Sequence, residues 1–157
     1  ICEINADFYL PTVATAIPSG EILKVEGTPF DFRTPKPFGQ DINADHEQIK
    51  FGKGFDHNYV LNKREEGELS FAARITDPKS GRTLECYTTE PGMQLYTANY
   101  ASGYKGANGC TFPFRSAVCL ETQHFPDTPN RPYFPSVILR PGQTYKHKTI
   151  YRFGVVE

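Results

Sequence analysis

Leu69-Ser70-Phe71-Ala72-Ala73-Arg74-Ile75 is followed by the turn-forming Pro78-Lys79-Ser80-Gly81 and then by Thr83-Leu84-Glu85-Cys86-Tyr87-Thr88-Thr89. Alternation with a period of two puts successive side chains on opposite faces of a strand. Pro and Gly between two such runs are turn residues, so the stretch reads as a β-hairpin with one buried and one exposed face. The same pattern extends in both directions. Further strands are expected over 2–10, 22–25, 59–61, 94–100, 116–123 and 143–155, with the hairpin arms at 69–77 and 83–89. The 13 Gly and 13 Pro cut the chain into short segments rich in Val, Ile, Thr, Tyr and Phe, which is how an all-β protein is written. One weak helical stretch is expected around 41–48. The fold class is all-β with long ordered loops, and a sandwich fits better than a small barrel.

The charges exclude several partners. Lys+Arg 17 against Asp+Glu 18 leaves a net charge of -1, and the charges are scattered, so there is no basic footprint for nucleic acid or an anionic membrane. No apolar run approaches the roughly 20 residues that span a bilayer, and the first ten residues lack the basic flank and apolar stretch of a signal peptide. The chain starts at Ile1, already in a strand-like pattern. An upstream segment is therefore expected, and with it any targeting signal. Cys2, Cys86, Cys110 and Cys119 form neither a C-x-x-C pair nor a dense framework, so free thiols in a reducing, cytoplasmic compartment are expected. A hairpin approach of Cys110 to Cys119 stays open.

Four segments place polar or ionisable groups where a strand meets a turn, a common setting for functional side chains. They are Gly54-Phe55-Asp56-His57-Asn58, Thr88-Thr89-Glu90-Pro91-Gly92-Met93-Gln94, Leu120-Glu121-Thr122-Gln123-His124-Phe125-Pro126-Asp127 and Leu139-Arg140-Pro141-Gly142. Glu121 follows the apolar-leaning Ala117-Val118-Cys119-Leu120. A carboxylate there is either a solvated strand-face glutamate or, if desolvated, a stronger base. Asp56, His57, Glu121 and His124 match neither H-x-H nor H-E-x-x-H, so no metal site is expected. Arg140-Pro141-Gly142 reads as a β-turn. Tyr59, Tyr87, Tyr96 and Phe125 fit core positions or a sugar-stacking platform. Serine-nucleophile and phosphate-loop signatures are absent from the sequence, which disfavours hydrolase and nucleotide-binding readings.

Taken in order, these segments resemble the aldose 1-epimerase family. The resemblance also runs through Ile17-Pro18-Ser19-Gly20-Glu21, Gly27-Thr28-Pro29-Phe30-Asp31-Phe32-Arg33, Ser80-Gly81-Arg82 and Tyr96-Thr97. It covers nearly the whole chain but only about the second half of the family's pattern. It implies that residues 1–157 are the carboxyl-terminal part of one large antiparallel β-sandwich, the galactose mutarotase-like supersandwich. It further implies interconversion of the α and β anomers of free hexoses such as galactose and glucose, without a cofactor. Glu121 matches the catalytic base; Asp56 and Gln94 match sugar-binding residues.

The family's histidine acid, its second active-site histidine and a substrate-binding Asn-Arg pair fall upstream of Ile1. His57 and His124 occupy positions with other roles, so the resemblance implies that this chain alone lacks the acid. The expected partners are therefore a monosaccharide and the missing amino-terminal half. Two alternatives remain: an epimerase of a modified or phosphorylated hexose, and a non-catalytic carbohydrate-binding β-domain.

Overall fold

The computed structural model describes residues 1–156. The expected hairpin is present: β5 (Ser70–Thr76) pairs antiparallel with β6 (Arg82–Thr88). Asp77 organises its turn, accepting from Ser80 Oγ at 2.6 Å and, through its carbonyl, from the Gly81 N–H at 2.8 Å. Register shifts between Phe71 and Ala73, and this bulge accounts for the break in alternation at Ala72-Ala73. An extra residue in one strand lets two consecutive side chains face inward, and both alanines are fully buried. On the outer face Arg74 donates to Glu85 at 2.8 Å.

The hairpin is the centre of a four-stranded antiparallel sheet ordered β1–β5–β6–β11, where β1 is Cys2–Ile4 and β11 is Thr149–Val155. A second antiparallel sheet has the order β10–β7–β4–β2–β3, comprising Cys119–Gln123, Gly92–Tyr96, Asp56–Leu61, Ala6–Tyr9 and Leu23–Lys24. A small ribbon joins β8 (Tyr104–Lys105) to β9 (Thr111–Phe112).

The expected strand over 2–10 is in fact two strands in two sheets, with Asn5 as the corner. Its N–H donates to Ala72 O at 2.9 Å, and its carbonyl accepts from Asn62 N at 2.9 Å. Its side chain bonds Phe71 O at 3.2 Å and the Asn62 amide at 3.2 Å. One residue thus satisfies polar backbone groups of both sheets.

Between the sheets lies one core, the arrangement of a β-sandwich. Cys2, Ile4, Ala72, Ala73 and Cys86 come from the first sheet, and Tyr9, Tyr59, Leu61, Met93, Leu95 and Leu120 from the second. Phe30 and Phe32 enter from the connection after β3. Phe30 stacks on Tyr9 with ring centroids 4.3 Å apart and meets Phe55 edge-on at 5.8 Å. Burial pushes the thiols of Cys2 and Cys86 up to about 12 and about 11, so both are unreactive packing groups at neutral pH. All four cysteines are free, with Cys110 exposed and Cys119 half-buried.

The helix lies later than the weak pattern over 41–48 suggests. It is α1 (Glu47–Gly52), because His46 caps it by accepting from Gln48 N at 3.2 Å and Lys53 ends it in the left-handed conformation. Edge strand β11 is exposed along its whole length, with Phe153 79% and Val155 70% accessible. Among the described residues no helix is long and apolar enough to cross a membrane.

His57 lies on the core face of β4, 4.7 Å from the ring of Phe30. Its Nε2 is 3.1 Å from Gln48 Oε1, and its Nδ1 accepts from Asp56 N at 3.3 Å. Nε2–H as donor and Nδ1 as acceptor describe a neutral ring, and burial, helped by the charge of His46, drives its pKa down to about 3. Below pH 6.5 the unfolded chain therefore takes up a proton that the folded chain refuses. Stability is complete above that pH and should fall by roughly 1.4 kcal/mol per unit as pH drops towards 3. Denaturant titrations between pH 7 and 4 check this, and His57→Gln should flatten the slope. An unchanged slope in the variant would assign the acid sensitivity to other groups.

Candidate active site

The core side of the second sheet carries His57, Tyr59, Met93, Leu95 and Leu120. Period two then sends the intervening residues to the opposite face. Register aligns them in rows across β10, β7 and β4: Cys119, Tyr96 and Asp56; Glu121, Gln94 and Asn58; Gln123, Gly92 and Val60. The three residues singled out in the sequence, Asp56, Gln94 and Glu121, therefore meet on one face of three adjacent strands.

Local structure fixes each strand. β4 starts two residues after Gly54, whose φ is +137° and where a Cβ would lie 2.5 Å from Asn99 Oδ1. That glycine lets Asn99 reach in and bond the carbonyls of Gly52 and Phe55, both at 2.9 Å. Thr97 adds a bond to Phe55 N at 3.2 Å. At the other end of the face, Gly92 leaves space that a Cβ would fill at 2.9 Å from the Asn58 amide and 3.0 Å from Phe125. Phe125, Leu10 and Phe134, with Val60, form a second apolar cluster that closes this end.

Gln94 Nε2 donates to Asp56 Oδ1 at 2.8 Å. This bond orients the amide and leaves Gln94 Oε1 buried with no hydrogen-bond partner. Gln123 Nε2 donates weakly to Asn58 Oδ1 at 3.4 Å. Burial raises the Asp56 carboxyl above its ordinary range, opposed by the Gln94 bond. Glu121, at the open side of the face, is raised by partial burial and then by the negative charge of Asp56. Two neighbouring carboxylates with elevated pKa are a common signature of a functional site.

The other sequence candidates fall elsewhere. His57 is in the core, and His124 lies beyond β10, 2.7 Å from Glu90. Arg140 sits in the expected turn, closed by Gln143 N donating to its carbonyl at 3.0 Å. Tyr59 is a core residue donating to Phe30 O at 3.1 Å, and Tyr87 packs on Phe71 at 5.7 Å. Tyr96 does reach the site face, stacked with Tyr100 at 6.4 Å. Asn58 and Gln123 join the site without having been singled out. Counting two residues on from Asp56 and from Glu121 would have found them.

A cleft of about 1200 Å³ lies away from this face. It lies between the β6–β7 turn, the end of β10 and the loops over 133–147. Gln123 borders it, whereas Asp56, Gln94 and Glu121 do not. The sheet face, where the acidic and amide groups converge, is the candidate site, because cleft volume alone carries no chemistry.

The sequence profile of the family described as aldose 1-epimerase matches residues 1–152. Galactose mutarotase of Mus musculus is 48% identical over 97% of this chain, and that of Homo sapiens 47% identical over 97%. Aldose 1-epimerase of Haemophilus influenzae is 36% identical over 96%. The chain spans less than half the length of these relatives, 43% of the two mutarotases and 44% of the bacterial protein. Among solved structures, a GalM/aldose epimerase homologue from C. elegans superposes with a TM-score of 0.86 at 30% identity, covering 99% of this chain and 46% of that one. Galactose 1-epimerase from Lactobacillus acidophilus gives 0.82 at 27% identity, covering 99% and 44%. With its profile matched almost end to end and its sheets superposed, the chain belongs to the aldose 1-epimerase family.

Proposed function

We propose that this chain supplies the base and sugar-positioning groups of a mutarotase acting on a free hexose such as galactose or glucose. The observation that carries the reading is the convergence of Glu121 with the hydrogen-bonded Asp56–Gln94 pair on one sheet face. Glu121 takes the proton of the anomeric hydroxyl. The oxygen's electrons form the C1 carbonyl, and the C1–O5 bond breaks as O5 is protonated by an acid. Rotation about C1–C2 and closure on the other face, with base and acid exchanging roles, give the second anomer. Asp56 and Gln94 hold the distal sugar hydroxyls by hydrogen bonds, so that only the reacting end turns.

The acid comes from outside these residues in this reading. Of the four histidines, His57 is in the core, His46 caps α1, and His124 and His147 both approach Glu90. The rows on the site face hold no Lys or Arg, so nothing there favours a phosphorylated hexose over a free one. Polarimetry on fresh α-galactose tests the proposal. The chain with an upstream segment of a related epimerase should accelerate the decay, and the chain alone should not. Failure of the combination to exceed the buffer rate would reject it.

Positioning and base roles separate by pH. Glu121 works ionised, so the rate should fall as pH drops through its raised pKa. Asp56→Asn removes the negative charge that contributes to that elevation and should move this acid limb to lower pH, besides lowering kcat/KM by about 10-fold or more. Gln94→Ala, which leaves the charge, should lower kcat/KM without the same shift. pH–rate profiles of both variants decide. Identical limbs in wild type and Asp56→Asn would separate Asp56 from the base electrostatically.

A further inference from the structure

Three segments far apart in the chain meet at the rim of the large cleft. Glu90 lies in the turn between β6 and β7, His124 just past β10, and His147 just before β11. Glu90 is only 4% exposed. Nδ1 of His124 is 2.7 Å from its Oε2, and Nδ1 of His147 is 3.0 Å from its Oε1. Oε2 nevertheless has no hydrogen-bond partner, so the His124 ring is close but not aligned to donate to it. Oε1 accepts from Tyr145 Oη at 3.3 Å. A carboxylate oxygen held away from water with no donor is costly unless something positive meets it.

The donor set identifies what that would be. One ligand atom from each residue lies within 4.8 Å of the others. Two imidazole nitrogens and a carboxylate oxygen are the protein ligands of three-coordinate zinc centres that keep a fourth position for water. We propose that Glu90, His124 and His147 bind one divalent first-row cation of the zinc type. Bonds of about 2.0–2.2 Å in tetrahedral geometry set ligand atoms about 3.3–3.5 Å apart. One ligand atom from each residue already lies within 4.8 Å of the others, so small side-chain shifts, about 1.5 Å at most, bring them to those separations.

The ion's role is to tie the segment entering β11 to the second sheet. That segment is otherwise held to Thr89 by Lys148 N donating to Thr89 Oγ1 at 2.9 Å and Thr89 N to Lys148 O at 2.9 Å. Sequence spacing gives no hint of the site, since its ligands stand at 90, 124 and 147. It does not depend on the mutarotase reading.

The test uses the purified protein stripped with EDTA, titrated with Zn²⁺ against a chromophoric chelator and, separately, with Co²⁺. One equivalent should bind at micromolar concentration or below, and the cobalt adduct should show tetrahedral visible bands without thiolate charge transfer. His147→Ala, in a partly exposed position outside the strands, should weaken binding more than ~100-fold while the circular dichroism stays native. Glu90→Gln should do the same, and Cys110→Ser should change nothing. Absence of stoichiometric binding, or binding lost in Cys110→Ser but kept in His147→Ala, would overturn the site and leave a metal-free Glu–His cluster.

Discussion

Replacing Glu121 by Gln in the active enzyme is expected to slow mutarotation about 10²–10⁴-fold, the usual contribution of one positioned general base. The amide keeps the size of the carboxylate and can still hydrogen-bond, but it cannot hold the anomeric proton. Sugar affinity should change little, because the Asp56–Gln94 pair and Asn58 are untouched. The loss should therefore fall on kcat, the pattern of an interaction made in the transition state. Glu121 is an exposed strand-face residue, and the desolvation it does have, with the Asp56 charge, raises its carboxyl above the ordinary range, in the direction of a stronger base. Polarimetric rates beside a binding titration measure both quantities. Turnover within a few-fold of wild type would remove Glu121 from the chemistry.

The largest effect on stability should come from Phe30→Ala. Phe30 is fully buried, stacked on Tyr9 at 4.3 Å and edge-on to Phe55, His57 and His46 at 5.8, 4.7 and 5.7 Å. Its carbonyl receives the Tyr59 hydroxyl at 3.1 Å. Truncation empties the middle of this aromatic group, and such changes cost about 3–5 kcal/mol. That is a large part of the 5–15 kcal/mol that typically holds a domain together. Equilibrium unfolding in urea gives the value. A loss under about 1 kcal/mol would mean that the surrounding rings collapse to refill the space.

The all-β class was legible because alternation and turn residues are local signals, and the 69–89 hairpin formed almost as its pattern indicates. Departures have local physical causes. Ala72-Ala73 marks a bulge, which a strict period of two cannot express. The run over 2–10 looks continuous because alternation does not record which sheet a strand joins. The strands Tyr104–Lys105 and Thr111–Phe112 are too short to leave a periodic trace. Strand β7 ends at Tyr96, short of the expected 100, because Ala98 adopts a φ of +52°.

The candidate site was legible in a different way. Asp56, Gln94 and Glu121 were identified through ordered motifs, since spacing alone leaves a strand glutamate ambiguous. Their convergence depends on register among β4, β7 and β10, which pairs residues from distant parts of the chain. The Glu90–His124–His147 group is further from local reading, because its members come from two turns and a terminal segment.

Asn5 connects these levels. Since one side chain and one peptide unit serve both sheets, the first sheet cannot open without releasing bonds that hold β4 through Asn62. The two layers are thereby coupled into one cooperative unit. The placement of the rows that carry Asp56, Gln94 and Glu121 is then a collective property: the sheet that holds them is tied to the far sheet through a corner that lies away from the candidate site.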